Sequence, residues 1–312
     1  MIWRQQKYNN SCVLCALSTL MSAHHIDLNV DKLALMCYIP FMIEYNQQDS
    51  SFNCGFLAWQ NPLNYQNALN PYYLKFNEIK SDNLEYFLDK INELLDSHKT
   101  MLVSLAASEL PYNKINLSGS GGHVVVLLKK EADHYLCMDS DAGLNRSIDY
   151  KFETVEDTVV YSLTEQDLRS ALKTKNPDSF VLAYLSEVND LQIALSYEQI
   201  IKTSLQALSE LNNLLNIETL SFTDYDQFYQ FTLNVIRPFV IDFYTGLTII
   251  DPNMHNLKLI NLLKDTLLDL KYETFSLMKQ FKDNSVDKDK LTAYYLEKLR
   301  IISSLIYEFL VK

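Results

Sequence analysis

Six glycines and seven prolines in 312 residues leave little scope for repetitive or turn-dense architecture. Collagen-like chains and Pro/Gly-rich disordered chains are excluded. Positive charge is also short: 27 Lys and Arg stand against 39 Asp and Glu, a formal net charge of −12. Nucleic-acid phosphates demand a basic surface, so nucleic acid is not an expected partner. Acidity of this kind favours a neutral or basic partner and otherwise serves solubility. No apolar run reaches the ~20 residues of a membrane span, and no membrane association is expected. Cysteine is sparse and odd in number: Cys12, Cys15, Cys37, Cys54 and Cys137, all in the first half. Met1-Ile2-Trp3-Arg4-Gln5-Gln6 is short and polar, unlike a secretory signal. The expectation is a cytoplasmic protein with reduced thiols.

What is present is apolar material for a core, 48% of the chain, and two textures. Residues 1–188 mix helical and strand patterns. Val13, Leu17, Leu20, Met21 and His24 recur at helical spacing, predicting a helix from Cys12 to about His24. Leu84–Leu95 predicts a second amphipathic helix. Strand-like runs follow at Met101–Ala107, His123–Lys129, His134–Asp139, Thr158–Leu163 and Phe180–Leu185. Thr164 with Asp167 reads as a helix cap before Leu168–Leu172. Helices followed by an antiparallel sheet is an α+β order. Residues 189–312 turn to apolar spacing of 3.6, as in Ile200, Leu205, Leu208, Leu211 and Leu215. Further helices are expected at Tyr225–Thr245, His255–Phe281 and Lys288–Val311. The second half therefore reads as an all-α bundle of roughly four helices.

One constellation carries chemistry. A thiol attacks acyl groups only as thiolate, and a helix N-terminus or an adjacent imidazolium lowers its pKa from about 8.5. Ser11 is a good N-cap, which sets Cys12 in the first helical turn. Cys15 is the alternative nucleophile, one turn further along and inside the apolar stripe. Cys12-x-x-Cys15 lacks both the second ligand pair of a zinc site and the preceding strand of a redox motif, so neither metal nor cofactor is expected. His123 starts a β-branched run after Ser118-Gly119-Ser120-Gly121-Gly122, where half the chain's glycines crowd together. Glycine permits close approach, which suits a histidine at the mouth of a cleft.

Asp139 gives His123 a partner. If the runs around them form a hairpin turning near Glu131, residues whose numbers total about 262 lie opposite each other. His123 and Asp139 meet that total and would be direct cross-strand neighbours, with Cβ atoms roughly 4.5–5.5 Å apart. A one-residue slip would turn Asp139 away and leave Asp141 as the nearest substitute. Gln6, six residues before Cys12, supplies a side-chain amide that can join the Cys12 backbone N–H as an oxyanion donor; Gln5 is chemically equivalent.

These residues resemble the C39-like branch of the papain-like cysteine peptidases. That family carries a glutamine six residues before its cysteine, as Gln6 stands here. It carries Gly-His before a β-branched run, as in Gly122-His123-Val124-Val125-Val126, and an aspartate at the place of Asp139. Val13 and Ser140 stand where the family has glycine and proline. The likeness covers about residues 1–186. Cys12-Val13-Leu14-Cys15-Ala16-Leu17 is also similar to a Cys-x-x-x-Ala-Leu pattern in the butirosin-biosynthesis H-type acyltransferases, which couple a C39-like domain to a helical region. The resemblance implies Cys12 as nucleophile, His123 as base, Asp139 as orienting group and Gln6 in the oxyanion hole. It implies transfer of an acyl group from a thioester (for instance on a carrier protein) or amide donor to an amine. The alternatives are a peptidase or amidase with water as acceptor, and a non-catalytic binding module on the same scaffold.

Overall fold

The computed structural model describes residues 12–54, 62–112, 122–139, 160–175, 179–216, 222, 224–250, 257–283 and 287–312. In chain order these form α1 (Cys12–Ala23), α2 (Val30–Met36), β1 (Ile43–Asn46), β2 (Ser51–Cys54), α3 (Pro62–Leu69), β3 (Leu74–Ser81), α4 (Leu84–Asp96), β4 (Met101–Ala106), β5 (Gly122–Glu131), β6 (His134–Met138) and β7 (Tyr161–Thr164). There follow α5 (Glu165–Lys175), β8 (Phe180–Glu187), α6 (Tyr197–Asn216), α7 (Tyr225–Phe231), α8 (Tyr244–Thr248), α9 (Leu257–Lys282) and α10 (Lys288–Val311). The architecture is mixed α and β. The chain divides into two compact units, Met1–Ala34 with Tyr65–Ala194 and Leu35–Asn64 with Leu195–Lys312.

The first unit is built on a six-stranded sheet in the order β3-β8-β4-β5-β6-β7, with every neighbouring pair antiparallel. Strand alternation sends Met101, Val103, Leu105, Val125, Leu127 and Cys137 into one core. Phe87, Leu88 and Ile91 of α4 and Leu168, Ala171 and Leu172 of α5 cover that face. Local signals set the helix starts. The Asn83 side chain accepts from Tyr86 N–H at 3.1 Å and caps α4. Thr164 and Asp167 form the expected reciprocal cap of α5, with Thr164 N–H donating to Asp167 Oδ2 at 2.8 Å and Asp167 N–H to Thr164 Oγ1 at 3.1 Å. β3 escaped the sequence reading because its Leu74-Lys75-Phe76-Asn77-Glu78-Ile79-Lys80 pattern is that of a half-solvated edge strand, diluted by charge.

α1 packs mainly against β5 and β4. Every residue from Val13 to Ala23 is buried, and Cys12 alone on this helix is partly exposed. A helix apolar on nearly all sides lies in a core.

The second unit is not all-α, as its sequence texture suggests: it also holds the β1–β2 hairpin. Ser204 of α6 explains part of this assignment. Its hydroxyl accepts from Ile43 N–H at 2.9 Å and donates to the Phe41 carbonyl at 2.7 Å. Phe41 stacks on Phe309 of α10, and Phe52 packs against Phe239. Between α7 and α8 the helix widens into π-turns at Thr232–Ile236 and Pro238–Phe243. Arg237 N–H bonds the carbonyl of Thr232, five residues back, just before Pro238, which has no N–H to donate.

Gly246 of α8 lies so close to Pro40 that a Cβ there would sit 3.2 Å from the Pro40 Cα. Backbone cannot give way as a flexible side chain does. Gly246→Val is therefore expected to destabilise the protein by about 1–3 kcal/mol, read as a lowered midpoint in urea unfolding at unchanged slope.

Candidate functional site

Cys12 is the first residue of α1. A helix start leaves backbone N–H groups without intrahelical partners and presents the positive end of the helix dipole. No disulfide joins the cysteines, and Cys15, Cys37, Cys54 and Cys137 are all buried while Cys12 is partly exposed. Cys15, the other candidate, is only 1% exposed. Cys15 could be reached only by opening the core, whereas Cys12 is partly open. Among the described residues no group of His, Cys, Asp and Glu has metal-ligand geometry.

His123 is the second residue of β5, opposite Leu105 of β4. Asp139 lies one residue beyond β6. Both are buried, and His123 Nε2 lies 2.7 Å from Asp139 Oδ1. His123 is also hydrogen-bonded to the Cys12 side chain. With Nε2 committed to Asp139, Nδ1 is the ring nitrogen left for Cys12. The structure thus brings together three of the residues singled out from the sequence, in the line Cys12–His123–Asp139. Gln6, Gln5, Ser11 and Asp141 lie outside the described residues.

The route by which Asp139 meets His123 corrects the direct pairing expected. The β5–β6 turn is centred on Ala132 and Asp133, not Glu131: Glu131 pairs with His134 and Lys129 with Leu136. Continued without interruption, that register would place Asp139 opposite Val126, on the face away from His123. A β-bulge between Leu127 and Lys129 absorbs one residue, after which Leu127 pairs with Cys137 and Val126 with Met138. The same register carries Asp139 to the level of Val125, on His123's face and diagonal to it. Diagonal neighbours lie about 7–8 Å apart, still within reach of a histidine ring.

The electrostatics of the pair follow from this packing. Burial by itself would push the His123 imidazolium down. The hydrogen bonds to Asp139 and Cys12, with the charges of both, overturn that and hold its pKa well above 6.5. The balance favours the charged form of His123, next to the one partly exposed thiol.

A further residue reaches this site without a signal in the sequence. Tyr112, beyond the end of β4, donates its hydroxyl to Asp139 Oδ2 at 3.1 Å. Its ring stacks on Tyr161 of β7 at 4.1 Å between centroids. The Cys137 Sγ lies 3.7 Å from the Tyr112 oxygen. Burial pushes the Cys137 thiol up to about 12, and the Asp139 charge adds to the effect, so it is not a nucleophile. No periodicity marks Leu110-Pro111-Tyr112 as part of a site.

The other described histidines stand apart from this line. His24 ends α1, where burial lowers its pKa, and its Nδ1 lies 4.0 Å from Glu187. His134 contacts Ser162 at 3.2 Å, and His25 and His98 take positive φ after helix ends. No helix among the described residues is long and apolar enough to cross a membrane. Neither protein-family models nor curated proteins yield a match to this chain.

Proposed function

We propose that this chain is a cysteine-dependent acyl-transfer enzyme related to the C39-like, papain-fold group and working as the butirosin-type acyltransferases do. The observation that carries the reading is the hydrogen-bonded line from a partly exposed thiol at a helix start, through a buried histidine, to a buried carboxylate. The Cys12 thiolate attacks the carbonyl carbon of a thioester or amide. The tetrahedral oxyanion forms beside the N–H of the first α1 residue, where a donor costs no reorganisation. Collapse breaks the carbonyl bond to the leaving sulfur or nitrogen, and the His123 imidazolium protonates that atom as it departs. The acyl group now sits on Cys12. An amine attacks it, neutral His123 takes the amine proton, and the amide leaves with the Cys12 thiolate restored. Asp139 holds the imidazole plane and favours its charged form throughout.

Intact-mass spectrometry with a panel of acyl thioesters tests this reading. The protein is expected to gain one acyl mass, and a primary amine is expected to discharge it as an amide. Discharge at the same rate with and without amine would replace transfer by hydrolysis. No acyl mass from any thioester or activated amide would overturn the enzyme reading.

A further inference from the structure

Asp139 is buried to 3% exposure, yet a carboxylate has two oxygens to satisfy. Oδ1 faces His123 Nε2 at 2.7 Å, and Oδ2 receives the Tyr112 hydroxyl at 3.1 Å. A tyrosine hydroxyl has a single proton, so that proton is committed to Asp139 and the adjacent Cys137 thiol takes the role of donor to the Tyr112 oxygen. Burial and the Asp139 charge both raise the Tyr112 pKa far above its ordinary value, so Tyr112 stays a phenol and a donor at every working pH. The Tyr161 stack fixes the ring from the side. An ionised oxygen deprived of a hydrogen-bond donor in such a site loses far more than an exposed one.

We propose that Tyr112 is a positioning residue of the acyl-transfer site: its hydroxyl fixes the Asp139 carboxylate plane and, through it, the orientation of the His123 ring toward Cys12. It acts through Asp139 and not on the Cys12 thiol itself. The proposal rests on the acyl-transfer reading.

A double-mutant cycle on the full chain tests it, with Tyr112→Phe, Asp139→Asn, the double variant and Cys12→Ala, and with acylation by an acyl thioester followed by intact mass. Tyr112→Phe keeps the ring and its stack and is expected to slow acylation about tenfold, with the half-saturating donor concentration unchanged. In the Asp139→Asn background the same change is expected to cost less than about twofold, because the group through which it acts is gone. Equal losses in both backgrounds, or no loss in either, would overturn the proposal. Cys137→Ala, a comparable perturbation of packing that leaves the Tyr112–Asp139 bond in place, is expected to acylate at close to the parent rate. A tenfold loss there would assign the effect to packing and sink the inference. Persistent labelling of Cys12→Ala would instead remove the acyl-enzyme reading, and this proposal with it. Loss of labelling in Cys12→Ala beside an unaffected Tyr112→Phe would remove the proposal alone.

Discussion

Cys12→Ala is expected to abolish acyl-enzyme formation, because no nucleophile remains at the site, while leaving the fold intact. The size follows from what the residue contributes. No other described cysteine is exposed, so no second thiol can take over. The substitution removes a partly exposed side chain at a helix start, where alanine is well tolerated. Unfolding midpoints should therefore shift little. Cys15→Ala is the control. Its side chain is buried in α1, and its loss is expected to lower stability through a small cavity while acylation persists. Labelling that survives in Cys12→Ala and vanishes in Cys15→Ala would reverse the assignment.

The second large effect concerns pH. Asp139→Asn is expected to slow acylation on the order of 10²-fold and to move the alkaline limb of its pH profile to lower pH. Three influences set the His123 proton. Burial lowers its pKa; the Asp139 and Cys12 hydrogen bonds and charges raise it, and they prevail. The protonated form, paired with the thiolate, is the one that acylates. In the parent protein activity is lost only as pH rises through a folded-state pKa well above 6.5. Asparagine keeps a hydrogen-bonding group at Oδ1 but removes the charge, while burial remains. The balance then tilts downward, and the imidazolium is lost at lower pH. Stability follows the same sign. A raised folded-state pKa gives stabilisation that is full below the unfolded value near 6.5 and fades as pH climbs through the folded value. The stability difference between parent and Asp139→Asn should therefore be largest on the acidic side of that window and shrink above it. Rate–pH profiles and urea titrations at several pH values read both. An alkaline limb that stays in place would show that Asp139 does not set the charge of His123.

Much of the site was legible because it depends on local pattern. Helical spacing after Ser11 located α1 to within a residue at its C-terminal end and put Cys12 in its first turn. The β-branched run after Gly122 located β5, and the Thr164–Asp167 cap located α5. The hairpin arithmetic recovered the shared face of His123 and Asp139 but not their level. The bulge that decides it depends on how β5 packs over its full length, which alternation alone does not reveal. The second unit's long helices were read from their 3.6 spacing. Its β1–β2 hairpin, short and far from α6 in sequence, was not.

The sequence by itself thus determined which side chains could do the chemistry and on which elements they ride, because helix starts and strand alternation are short-range consequences of residue type. Only the tertiary structure decided that a bulge further along β5 sets Asp139 diagonal to His123, that Leu35–Asn64 joins the second unit, and that Tyr112 holds the carboxylate. Each of those outcomes rests on hydrogen bonds or packing between residues distant in the chain. Their energies depend on burial, and burial exists only once the core has formed.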